Sequence, residues 1–156
     1  MAILDLHTGL GPSGYGEPIY LGTNLGEYLR AIKWFGPEVT CTVKGDSTSA
    51  QVGGTLADSI QNISATTQCT SLAVEYGTIP PMQVLTALRA ENWLNANAGG
   101  SDKLRTAKKQ IRDAFYVDEP WWKAAVYGRS VDMFLRAARA LAEVKGRLVG
   151  STPVTT

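Results

Sequence analysis

Apolar and polar positions alternate along this chain in a way that predicts strands and helices in turn. Ile3, Leu4 and Leu6 place a short buried strand over residues 2–7. Residues 8–22 then carry five glycines and two prolines, which predicts a long loop. Leu25, Tyr28, Leu29 and Ile32 recur at helical spacing, giving an amphipathic helix over 24–35 that Gly36-Pro37 stops. The β-branched run 38–43 reads as a strand, and 44–54 as a polar loop. A short helix follows over 55–63, with Leu56 and Ile60 on one face. Cys69 to Glu75 forms a second buried strand, ended by the turn Tyr76-Gly77-Thr78.

Helices fill the remainder. Pro80 and Pro81 open one that runs to Asn97, with Val84, Leu85, Leu88 and Trp93 on its apolar side. Gly99-Gly100 ends it, and Ser101 stands ready to cap a basic helix over 102–115. The last helix runs from Glu119-Pro120 to about Val144, with Trp121, Val126, Phe134, Leu135 and Leu141 expected in the core. This order predicts an α/β fold, a three-layer α/β/α arrangement around a mixed or mostly parallel sheet. With no internal repeat and no Pro/Ser linker, residues 1–145 read as a single domain and 146–156 as a flexible tail.

Composition narrows the class. At 156 residues, 44% hydrophobic and 19% charged, the chain can bury a real core and is not of the disordered type. The net charge of +1 hides an asymmetry: residues 1–78 hold 3 Lys/Arg against 7 Asp/Glu, residues 79–156 hold 12 against 7. The basic residues alternate with acids along helices, which describes solvated faces and not a nucleic-acid interface. Cys41 and Cys69 form no C-x-x-C pair and read as free thiols, favouring a reducing, cytoplasmic setting. No signal peptide and no membrane-length apolar run is evident.

Chemistry concentrates at two places. His7 is the only histidine, and Asp5 lies two residues before it on the same strand face. A carboxylate there can fix the imidazole tautomer and leave the other nitrogen for a metal. Glu75 closes the apolar run Leu72-Ala73-Val74, where a buried carboxylate is costly unless it has work or a partner. If the two strands are neighbours, His7 and Glu75 share one cleft beyond the strand ends, flanked by Tyr15 and Tyr76. The bland alternatives stay open, because a lone histidine is more often structural and a strand-end glutamate can simply meet an arginine or cap a helix. The Gly9/Gly11 and Gly14/Gly16 pairs complete no phosphate-loop motif, and Ser47, Ser49 and Ser59 have no spare histidine as base.

The stretches Asp5-Leu6-His7-Thr8-Gly9-Leu10-Gly11-Pro12, Gly14-Tyr15-Gly16-Glu17 and Val74-Glu75-Tyr76-Gly77-Thr78 occur in order with Ala87 to Leu94 and Ala114-Phe115-Tyr116. Together they resemble the DUF2817 family, a branch of the zinc carboxypeptidase-like hydrolases, over about residues 2–140. The resemblance implies part of the zinc carboxypeptidase fold and hydrolysis of an amide or peptide bond in a peptide or acyl-amino-acid type substrate. It implies zinc as cofactor, His7 as one metal ligand, Asp5 as the residue orienting His7, and Glu75 as general base and then acid. The H-x-x-E motif that supplies the other two ligands in such hydrolases is missing from this sequence. The resemblance therefore implies a C-terminal portion that is weakly active alone, with a complementing N-terminal half or a homo-oligomer as partner. The rival expectation is a non-catalytic binding or interaction module that keeps the fold without a working metal site.

Overall fold

The computed structural model describes residues 1–61, 68–97 and 102–150. Its elements run β1 (Ala2–Ser13), β2 (Gly16–Tyr20), α1 (Leu25–Phe35), β3 (Thr40–Cys41), α2 (Leu56–Gln61), β4 (Thr70–Gly77), α3 (Pro81–Asn97), α4 (Asp102–Phe115) and α5 (Pro120–Gly150). A single 3-10 turn, Thr42–Lys44, follows β3. The strands lie in the order β1-β4-β2-β3, so β4, the last in sequence, is central. It pairs parallel with β1 and antiparallel with β2, while β2 and β3 are parallel. This is an α/β fold on a mixed, mostly parallel sheet, as the element order predicts.

One sheet face carries the core. Leu72, Val74 and Tyr76 of β4 meet Tyr28, Ala31 and Phe35 of α1 and Trp122, Met133 and Ala137 of α5. Because side chains alternate along a strand, Ala73 and Glu75 point to the opposite face. α3 and α4 pack on each other and reach the sheet at β1. Local signals explain the boundaries of α1: the Asn24 side chain accepts from the Glu27 amide, and Gly36, at φ 106°, caps the far end. Both cysteines are free thiols, Cys41 buried and Cys69 half-buried.

Several expectations are corrected. Residues 8–22 are not one loop, since β1 continues to Ser13 and β2 occupies Gly16–Tyr20. All five β2 residues are buried, so the segment shows no alternation, and its glycine-rich approach reads as a loop. The strand over 38–43 shrinks to Thr40–Cys41, because the backbone turns into the 3-10 turn at Thr42.

The third correction is the phase of α5. Trp121, Phe134, Leu135 and Leu141 are exposed, and Trp122, Met133, Ala137 and Ala140 are the buried set. Polar anchors on that face fix the rotation. Ser130 bonds the Tyr76 hydroxyl at 2.7 Å, Arg129 donates to the Gly16 carbonyl at 3.1 Å, and Arg136 donates to the Phe35 carbonyl. Ala137 on the same side shares one buried core cluster with Ala31 of α1. α3 departs likewise: Val84 is buried, whereas Leu85, Leu88 and Trp93 are exposed. α5 continues past Val144 to Gly150. The Gly99-Gly100 stop, the Ser101 cap, positions 62–63 of the short helix and residues 151–156 lie outside the described residues.

Candidate functional site

The register of β1 against β4 pairs Asp5 with Ala73, His7 with Glu75 and Gly9 with Gly77. Residues side by side in a parallel pair face the same way, so His7 and Glu75 share the sheet face away from α1 and α5. The register of β2 against β4 pairs Glu17 with Glu75 and puts a second carboxylate in the same row. His7, Glu75 and Glu17 thus stand side by side on three neighbouring strands. His7 does not end its strand, as the sequence suggests, because β1 runs on to Ser13; it lies two positions before Gly9, where the regular pairing stops.

His7 is half-exposed, and its Nε2 sits 2.9 Å from Asp5 Oδ2. No hydrogen bond from a described residue engages Nδ1, so the second ring nitrogen of this half-exposed side chain is left without a described partner. Glu75 is nearly fully buried. Its Oε1 accepts the Leu10 amide at 3.0 Å, and no described residue hydrogen-bonds its Oε2. The carboxylate is therefore held by one oxygen and available at the other.

A glycine strap makes the Leu10 contact possible. Gly9 and Gly11 have φ of 140° and 97°, a region that side-chain-bearing residues rarely adopt, and this carries residues 9–12 over the end of β4. A Cβ on Gly9 would lie 2.8 Å from the Phe115 ring of α4. Gly77 lies under the strap, where a Cβ would stand 2.2 Å from the carbonyl oxygens of both Gly11 and Pro12. The Thr78 hydroxyl is 3.0 Å from the Gly9 carbonyl and 2.6 Å from that of Ala114. Trp122 Nε1 donates to the Gly77 carbonyl at 2.8 Å, tying the strap's floor to α5.

Burial pushes the Glu75 carboxyl above its ordinary value, and neighbouring Glu17 adds to this, while the Leu10 amide and His7 act against it. A folded-state pKa above the unfolded one means that the folded chain holds the proton longer. The stability this gives is complete below the unfolded value and is lost as pH rises through the raised one. Glu75→Gln is accordingly expected to melt at a higher temperature than wild type at neutral pH, the gap closing as pH falls toward about 4. Thermal melts of both proteins from pH 4 to 8 check this, and a constant difference across that range would contradict it.

Two other candidates sit elsewhere. Tyr76 is fully buried on the core face, its hydroxyl bonded to Ser130, so it does not border the cleft. Tyr15 is exposed and lines a shallow hollow with Gly14, Gly16, Glu38 and Arg129. Glu17 was not singled out by the sequence argument. The signal was there: a carboxylate placed between Gly16 and the apolar Pro18-Ile19-Tyr20, the same anomaly that marked Glu75.

Residues 1–129 match the family model described as "Protein of unknown function (DUF2817)". No curated protein and no solved structure matches the chain.

Proposed function

The chain belongs to the DUF2817 family, and from that premise we propose that it is the C-terminal part of a zinc-dependent, carboxypeptidase-like hydrolase of amide or peptide bonds. The observation that carries the reading is the pairing of His7 with Glu75 in register on adjacent parallel strands, with Glu75 held by Leu10 at one oxygen only. Glu75 Oε2 would take a proton from the attacking water and pass it to the departing nitrogen. Its proton affinity, raised by burial, suits a group that takes up a proton and gives it back. Asp5 would hold the His7 ring in one orientation.

The residues present do not complete a zinc site. A catalytic zinc takes three protein ligands, and among the described residues no three His, Cys, Asp or Glu side chains converge. In this reading His7 is one ligand, and an H-x-x-E segment outside these 156 residues supplies the remaining two. The substrate class is a peptide or acylated amino acid. The test is to mix the chain with the H-x-x-E half of a longer DUF2817 protein and follow hydrolysis of acyl-amino-acid and peptide substrates. Turnover that needs both halves and zinc is expected; none in the zinc-loaded mixture would contradict the reading.

A second reading, a non-catalytic interaction module, draws on the exposed apolar residues Trp121, Tyr127, Phe134 and Leu135 of α5. It separates from the first by the same mixing experiment, because association would then occur without hydrolysis.

A further inference from the structure

Glu17 is as buried as any charged side chain among the described residues, only 4% exposed, yet none of their cations pairs with it. Its Oε1 accepts the Thr40 hydroxyl at 2.6 Å and the Thr48 amide at 3.2 Å. Its Oε2 accepts the Thr48 hydroxyl and, at 3.3 Å, the same amide. A buried carboxylate satisfied by two hydroxyls and an amide is a strong anchor for the groups that donate to it. Here the anchored group is Thr48, which lies in the loop between β3 and α2.

Thr48 in turn stands over the glycine strap. Its Oγ1 and Cγ2 lie 3.6 and 3.7 Å from where a Cβ on Gly11 would be. The residue before Gly11 is Leu10, whose amide holds Glu75. A path of neighbours therefore runs from Glu17, by hydrogen bonds to Thr48, to the strap at Gly11 beside it and, through the Leu10 amide, to Glu75. The register gives the two carboxylates adjacent places on β2 and β4.

We propose that Glu17 is a positioning residue for the strand-end site: it fixes Thr48 against the strap and so keeps the Leu10 amide aimed at Glu75. The role of Glu75 as base is taken from the preceding reading, but the positioning itself can be measured without it. Thr48→Val keeps the side-chain shape and removes the hydroxyl; Thr48→Ser restores it; Glu17→Gln removes the charge. In the full chain, amide hydrogen exchange by NMR reports on Leu10 directly, with the buried Leu72 amide of β4 as the internal measure of global stability.

Loss of one charge-assisted hydrogen bond is expected to speed Leu10 exchange about tenfold relative to Leu72 in Thr48→Val and Glu17→Gln. Thr48→Ser is expected to stay near wild type. If Glu17→Gln does not fold, the Thr48 pair carries the test alone. A Leu10 amide that exchanges as in wild type, or that moves only in step with Leu72, would overturn the proposal. A specific Leu10 response in a protein that never hydrolyses anything would uphold the positioning and remove the reason for calling Glu75 a base.

Discussion

Glu75→Gln is expected to lower turnover of the completed, zinc-loaded enzyme by about 10²–10⁴-fold, the usual contribution of a positioned general base. Gln keeps the length of Glu and an acceptor for the Leu10 amide, so the strap stays in place. What it loses is the ability to hold a proton at Oε2, the oxygen that no described residue engages. Zinc uptake should be unchanged, because Glu75 is not among the ligands in this reading. The same substitution should raise stability at neutral pH, since it relieves a buried carboxylate whose charged form is disfavoured by desolvation. Loss of turnover together with gain of stability is the pattern of a residue kept for chemistry. Steady-state kinetics and thermal melts on one preparation check both halves; unchanged turnover would assign Glu75 a structural role.

Gly77→Ala is expected to cost about 3 kcal/mol or more, toward the upper end for overpacking. The methyl group would press on two carbonyl oxygens, those of Gly11 and Pro12, and not on a flexible side chain. Neither partner can retreat easily. The Gly77 amide donates to the Tyr15 carbonyl at 3.3 Å, and its carbonyl accepts from the Gly14 amide at 3.0 Å and from Trp122. Gly128→Ala serves as the contrast, because that glycine lies within α5 with nothing within 4 Å of an added Cβ. There a gain of up to about 1 kcal/mol follows from helix propensity alone. Urea unfolding of the two variants against wild type reads both values, and a Gly77→Ala protein as stable as wild type would show that the strap does not rest where described.

The parts of the fold that were legible in the sequence are those whose signals are local. Asn24 at the start of α1, the proline pair that opens α3 and the apolar run into Glu75 each carry their own reason for the element they mark. What was illegible depends on partners distant in sequence. The extension of β1 and the whole of β2 exist because β4 pairs with both, and neither a glycine-rich strap nor a fully buried five-residue strand has a period to read. The rotation of α5 was misread because hydrophobicity nominated Trp121 and Phe134, whereas Ser130, Arg129 and Arg136 turn the helix by what they bond. At the site, His7 and Glu75 could be named from their strand positions, but their side-by-side register came only with the sheet. The burial of Glu17 is not legible locally, because the residue sits in a glycine-rich segment whose strand depends on pairing with β4.

The central claim is that His7 is an available metal ligand in an incomplete zinc site, and titration of the 156-residue chain with zinc, beside His7→Ala, tests it most directly. One imidazole leaves the metal mostly hydrated, so the wild-type chain should bind with a dissociation constant of about 0.1–1 mM. That is far short of the roughly 10–16 kcal/mol of a closed structural site. His7→Ala should abolish even this weak binding. Tight, stoichiometric zinc uptake by the chain alone, or weak uptake that survives His7→Ala unchanged, would contradict the account.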